Sequence, residues 1–203
     1  MKKHAPLPFH HLLMPAQGLT ALLLKGEHNY DGSPLAGHWA YRVHGIQGDS
    51  LIGFSGPCHV DIPALADLED AKTGAFIRSA RMLHFVLELF GPPLEEAVSR
   101  QWLMAATVAD ELNQRLKGKA VLRTGNDLYI GKKKLTVSIA APTGASVKVH
   151  LGINIDARTA PVPAMGLNEL KVPVLPFAKK LLERFTQDHY SMRKARTKVR
   201  LYI

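Results

Sequence analysis

Asp127 and Lys134, seven residues apart, have the types and spacing of a charge-stabilising pair. A fixed ammonium can neutralise a carboxylate or phosphate and stabilise charge developing on an acyl oxygen. A neighbouring carboxylate can orient that ammonium or hold a metal–phosphate complex. Asn126-Asp127 stands at a strand start, where a side chain can aim into a cleft, and Gly131-Lys132-Lys133 supplies a turn back to Lys134. The two strands are therefore expected to form a hairpin. Alternation along the returning strand groups Lys134, Thr136 and Ser138 on one face and Leu135, Val137 and Ile139 on the other. Lys132 and Lys133 read as the solvated hairpin tip.

A second alternating stretch, Ser146 to Asp156, places Val147, Val149, Leu151, Ile153 and Ile155 on one face. Its other face carries Ser146, Lys148, His150, Gly152 and Asn154, which suits either solvent or a binding cleft. Because the two strands alternate in step, Lys134, Ser138, Lys148 and His150 are expected to converge. Asn126 and Asn154 complete the polar group. Asp49 and Ser50, in Gly48-Asp49-Ser50, can cap a turn or line the same pocket, and the expectation here is the pocket. Asp31 and Ser33 fall in the turn Tyr30-Asp31-Gly32-Ser33-Pro34 and are candidates of the same kind.

The elements that must position these residues are read from periodicity. Leu19 to Leu24 suits a strand ended by Lys25-Gly26-Glu27, and Ser50 to Ser55 a buried strand stopped by Gly56-Pro57. Ile62 to Ala71 reads as a short helix, and Met82 to Phe90 as strand or helix. Leu94 to Leu116 has helical spacing, with Glu95 and Glu96 at its positive end. Strands follow at Ala120–Arg123, Leu128–Gly131, Lys134–Ala140 and Ser146–Asp156, then a last amphipathic helix from Pro176 to His189. This mixture implies an α+β fold: a largely antiparallel central sheet flanked by helices. Residues 1–190 form one domain and residues 191–203 a basic C-terminal segment.

The 203 residues carry a net charge of +9, which favours acidic partners such as nucleotide, RNA or an acidic carrier protein. Arg193, Lys194, Arg196, Lys198 and Arg200 cluster at the end of the chain, as a solvated tail or a phosphate contact. No apolar run is long enough to cross a membrane. The start, Met1-Lys2-Lys3-His4, looks like a leader, but Pro6, Pro8, His10, His11 and Pro15 interrupt any apolar stretch behind it, so a cytoplasmic protein is expected. The single cysteine, Cys58, agrees with a reducing compartment. It precedes His59, but adjacent residues on an extended backbone point apart. None of the ten histidines has the spacing of a closed zinc site. Asp67, Glu69 and Asp70 read as a helix face rather than a Mg²⁺ site.

Residues 126–155 resemble the central sheet of biotin-protein ligases and lipoate ligases, through Asn126-Asp127, Lys134 and Gly152-Ile153-Asn154. Trp39, Gly45 and Leu51-Ile52-Gly53-Phe54 correspond to the segment after the ligase nucleotide loop. The whole chain is similar to an archaeal and bacterial family of unknown function grouped by fold with those ligases. Tyr30-Asp31-Gly32-Ser33, Gly45 to Ser50, Arg100-Gln101 and Leu135 to Ala140 carry that likeness. The resemblance implies that Lys134 contacts a small-molecule carboxylate or acyl substrate, positioned by Asp127, with Trp39, Lys148 and His150 nearby. It also implies ATP with Mg²⁺. However, Asp31 to His38 contains no Arg or Lys where ligases carry an Arg- and Gly-rich loop, and Val137 replaces a Gly, so the cofactor stays open. Acyl transfer without ATP, through Lys and Cys, and a non-catalytic nucleotide- or RNA-binding module are the alternatives.

Overall fold

The computed structural model describes residues 12–16, 18–74, 76–118 and 120–200. The leader-like features from Met1 to His11 and the last three residues of the basic segment lie outside them. In chain order the elements are β1 (Leu12–Ala16), β2 (Leu19–Glu27), α1 (Trp39–His44), β3 (Ser50–Val60), α2 (Leu68–Thr73), β4 (Ile77–Phe90) and α3 (Leu94–Arg115). There follow β5 (Leu122–Thr124), β6 (Asp127–Ile130), β7 (Lys133–Lys134), β8 (Thr136–Pro142), β9 (Ser146–Asp156) and α4 (Val174–Ala195).

Six strands form the main sheet in the order β1-β2-β3-β4-β9-β8, and β5-β6-β7 form a small one. Neighbours in the main sheet are antiparallel except β2 and β3, which run parallel. The expected antiparallel sheet thus contains one parallel pair, because the chain between β2 and β3 crosses over through α1 instead of a hairpin. Both long helices lie on one face rather than flanking the sheet. Val108 and Leu112 of α3 and Phe177, Leu181 and Phe185 of α4 share a core with Phe85, Leu87, Val149, Leu151 and Ile153. Phe85 and Phe185 meet edge to face at 5.2 Å. Truncating any one of these buried side chains to alanine should cost about 2–5 kcal/mol. The opposite sheet face has its own smaller cluster, including Tyr30, Ala40, Ile52, Phe54, Cys58 and Met82.

Several boundaries move for identifiable reasons. β3 continues through Gly56-Pro57, because the register shifts between Gly56 and Cys58 and this bulge absorbs the proline. Gly56 itself is pressed against His28, whose carbonyl a Cβ would strike. The helix expected over Ile62–Ala71 divides into a 3₁₀ turn at Ile62–Ala64 and α2, which is capped by Asp67 accepting from Glu69 N at 2.8 Å. α4 extends to Ala195 and takes in Ser191–Ala195 of the basic segment. Among the described residues, no helix is long and apolar enough to cross a membrane.

Candidate active site

The expected strand Lys134–Ala140 divides at Leu135. Leu135 N–H donates to Leu128 O of the small sheet at 2.8 Å, and its carbonyl accepts from Asn154 N of the main sheet at 2.9 Å. Leu135 is itself buried, so this junction is set by the core. Lys134, one residue earlier, is fixed along its backbone. Its N–H donates to Pro163 O at 2.9 Å and its carbonyl accepts from Met165 N at 3.0 Å. The hairpin before it turns at Gly131, which takes a left-handed φ of 57° that costs glycine little. From this frame the Lys134 ammonium reaches Asp127 Oδ2 at 2.8 Å, with the side chains 28% and 24% exposed. Tyr129 Oη lies 3.4 Å from the same carboxylate oxygen.

The pair stands at the wall of a 440 Å³ cavity on the sheet face opposite the long helices. Asn126, Asp127, Lys134, Ser138, His150 and Asn154 line it, together with Tyr30, Arg78, Ser79, Met82 and Val137. Asn154 is held in place by Ser79 Oγ, which donates to its Oδ1 at 2.9 Å. On the wall beside it, His150 stacks on Tyr30 with centroids 3.8 Å apart. His150 Nε2 is 3.0 Å from Nδ1 of His84, which is fully buried. Burial pushes the His84 pKa down to about 3, and burial with the adjacent His84 drives His150 well below the ordinary histidine range. Both rings are neutral at pH 7. Burial raises the Tyr30 hydroxyl, so it too stays neutral.

A model of the family described as "Domain of unknown function (DUF366)" matches residues 19–200. The chain belongs to this family. The structure of a protein of unknown function from Pyrococcus horikoshi is 34% identical, with a TM-score of 0.86, covering 91% of this chain and all of that one. The fold extends further. A mutant biotin protein ligase from Aquifex aeolicus, solved in complex with biotin, aligns with a TM-score of 0.54 at 16% identity over 86% of this chain and 71% of the ligase. A lipoate protein ligase-like protein from T. acidophilum, solved with bound lipoic acid, aligns at 0.51 with 15% identity, over 82% and 83% of the two chains. The family shares the biotin/lipoate ligase fold.

In this DUF366 chain the expected convergence is only partial. Val137 and Ile139 lie opposite Gly152 and His150 in the register, whereas Thr136 and Ser138 lie opposite Ile153 and Leu151. Opposed residues share a face, so Thr136 and Ser138 do not share one with Lys148 and His150. The β8–β9 register is the reason, since it sets Ser138 against Leu151 and Ile139 against His150, while Lys134 lies before the break at Leu135 in the small sheet. Ser138 reaches the cavity wall, but its hydroxyl is occupied by Gln101 Nε2 at 2.9 Å and Asn126 Nδ2 at 3.0 Å.

Lys148 is not a cavity residue of this DUF366 domain. It is fully buried and pairs with Glu88 Oε2 at 2.8 Å. Burial raises the Glu88 pKa, but hydrogen bonds from Lys148, Ser146 and the His38 N–H outweigh it and hold the carboxyl below its usual range. Trp39 packs against Phe54 and His44, with the Lys148 ammonium 6.0 Å from its ring. Asp31 and Ser33 are exposed and bond each other in a turn, Ser33 N to Asp31 Oδ1 at 2.9 Å, so Tyr30 and Gly32 of that turn line the cavity and these two do not. Asp49 neither lines the cavity nor caps its own turn. It accepts from Phe90 N at 2.9 Å and lies 3.4 Å from Arg193. Ser50 is buried beside it, opposite Glu88. Cys58 is buried, which pushes its thiol up to about 12, while His59 turns out to Asp61 at 2.9 Å. Arg123 lies over Trp102, not in the cavity.

Tyr30, Arg78, Ser79 and Met82 are among the wall residues that escape sequence reading. Tyr30 is legible only as the start of a turn. Arg78, Ser79 and Met82 belong to β4, whose alternation breaks because the register shifts between Arg81 and Met82. Extending the pattern back from Met82 therefore puts Ser79 on the wrong face.

Proposed function

We propose that this DUF366 protein binds a small molecule bearing a carboxylate or acyl group and activates or transfers that group. Lys134 stabilises the negative oxygen, Asp127 aims the ammonium, and Asn126, Asn154 and His150 contact the remainder of the substrate. The observation that carries this reading is the Lys134–Asp127 pair, 2.8 Å apart, at the wall of a 440 Å³ cavity. A partly buried ammonium held by a carboxylate is preorganised for charge that develops nearby, so little reorganisation accompanies the reaction. The ligase-like scaffold supports the same reading.

The cavity fits a nucleotide triphosphate less well. Its charged wall residues are Asp67, Asp70 and Asp127 against Lys134 and Arg78, an excess of acid. The nearby Asp31–His38 segment contributes no cation. Among the described residues, no three His, Cys, Asp or Glu side chains come together as metal ligands. No step is therefore routed through ATP or Mg²⁺. The test is a panel of carboxylic acids and acyl thioesters, read by calorimetry and by acyl transfer, with ATP–pyrophosphate exchange in parallel. Binding that weakens in Lys134→Ala is the expected result. A panel that binds neither protein, with no turnover, would remove the reading.

A further inference from the structure

We propose that residues 61–74 form a lid over the Lys134 cavity, hinged at Val60 and Gly74, which lifts from Gly32 to admit a molecule and settles back over it. Such a gate deepens the substrate reading of the same cavity and rests on it.

The cavity has two unlike sides. One is the main sheet, where Ser79, Met82, His150 and Asn154 stand on long, fully paired strands. The other is the connection between β3 and β4, which gives Ala64, Leu65, Ala66, Asp67, Asp70 and Gly74 to the wall. None of residues 61–74 is buried. Among the described residues, their hydrogen bonds close within the segment or on His59 beside it. Ala64 N donates to Asp61 O at 2.8 Å, Ala71 N donates to Asp67 O at 3.0 Å, and His59 Nε2 lies 2.9 Å from Asp61 Oδ1. The segment rests on Gly32 of the neighbouring turn, where an added Cβ would lie 3.3 Å from Ala64 O and 3.6 Å from Ala64 Cβ. Local stability follows buried contacts, so a unit with no buried side chain opens far more readily than the sheet beneath it.

The same geometry supplies a hinge. Val60 pairs with Ile77 in the β3–β4 register, so the two ends of the connection are held side by side. Gly74 takes a left-handed φ of 70° with open space around it. A few such residues at element ends absorb the backbone rotation of a lid. The helix α2 keeps its own cap and hydrogen bonds as it moves, so it travels as a body.

Apolar side chains give the lid a reason to close. Leu68 is 73% exposed, and Ile62 and the adjoining Phe76 are each 44% exposed. Leu65 and Phe76 stand at the cavity wall, so a molecule in the cavity covers apolar surface that is otherwise wet. Closure also removes water from around Lys134, and an ammonium acts more strongly on an anion in a drier site.

The test clasps the lid to its rest. In full-length Gly32→Cys/Ala64→Cys the two Cβ atoms would lie 3.6 Å apart. A disulfide needs about 3.5–4.5 Å. Diamide closes the clasp and a phosphine reopens it. Cysteine is strained at the φ of 92° found at position 32, but equally in both states. The readout is carbethoxylation of His150 by diethyl pyrocarbonate, followed by peptide mass spectrometry. His150 is 3% exposed and stands on the cavity wall. The clasp should slow this reaction by about tenfold or more and reduction should restore it, since only the free lid opens. Exposed His28 should react alike in both states. His150 equally reactive in both states, or inert in both, would overturn the proposal. Backbone ¹⁵N relaxation dispersion of the wild type decides the matter even if the variant fails to fold. Residues 61–74 and Gly32 should share one exchange rate while Leu83 to Leu87 show none, and flat profiles across the lid would overturn the proposal. Neither readout uses a substrate, so failure of the lid and failure of carboxylate binding are separate results.

Discussion

The Lys134 ammonium and the Asp127 carboxylate face each other at 2.8 Å across one hairpin, β6 to β7, at the wall of the cavity. Being about a quarter exposed, the pair adds little to stability, less than about 1 kcal/mol. Lys134→Met and Asp127→Asn should therefore melt close to the wild type. A charge-assisted bond to a ligand is worth about 1.5–3 kcal/mol, so carboxylate affinity should fall about ten- to a hundredfold in Lys134→Met. Calorimetry beside thermal melts separates the effects, and undiminished carboxylate binding by Lys134→Met contradicts the assigned role.

The Glu88–Lys148 pair behaves in the opposite way. Glu88 also accepts from His38 N and Ser146 Oγ, each at 2.8 Å, and Lys148 donates to Pro34 O at 3.3 Å. Glu88→Leu or Lys148→Met alone leaves a buried charge without its partner and should cost about 3–5 kcal/mol. The double substitution should recover much of that loss. Urea unfolding of the three variants checks the cycle, and strictly additive losses would contradict it.

Acid should destabilise the fold earlier than its carboxylates alone would cause. His84 has a folded pKa lowered from 6.5 to about 3, so the unfolded chain binds its proton first. Its contribution is complete above pH 6.5 and is lost as the pH falls toward 3. The slope is up to about 1.4 kcal/mol per pH unit. His84→Phe should flatten the stability profile in this window, measured by urea midpoints. An unchanged slope would mean that the ring is charged or exposed.

Gly152 marks where the cavity can be narrowed. An added Cβ would lie 2.8 Å from Met82 Cε and 3.2 Å from Val137 Cγ2. The Met82 tip can move, and both neighbours line the cavity, so Gly152→Ala should fold and lose ligand affinity. Ligand binding at wild-type strength in this variant would show that the molecule sits elsewhere.

Sequence periodicity carried the regular elements well and the irregular ones poorly. β9 spans Ser146–Asp156 as its alternation predicts, because both of its faces are buried against partners and the register admits no slip. Lys134 and Asp127 were legible as a pair because a glycine turn separates them by a short hairpin. Lys148 was misplaced, since alternation gives the face of a lysine but cannot show Glu88 waiting on the neighbouring strand. Leu135 deceived in a different way: a strand that changes sheet looks continuous in one dimension. α1 had no signal strong enough to be read, with six residues and His38 before it at a φ of 59°.

Leu135 has one last consequence. A single buried leucine is hydrogen-bonded to two sheets at once, so the backbone next to the amine is anchored by the core as well as by its own polar contacts. Residues across the chamber, such as Met82, Val137 and Tyr30, are free to vary in size without displacing that amine. Substitutions at those three positions should therefore reshape the cavity while leaving Lys134 where it is.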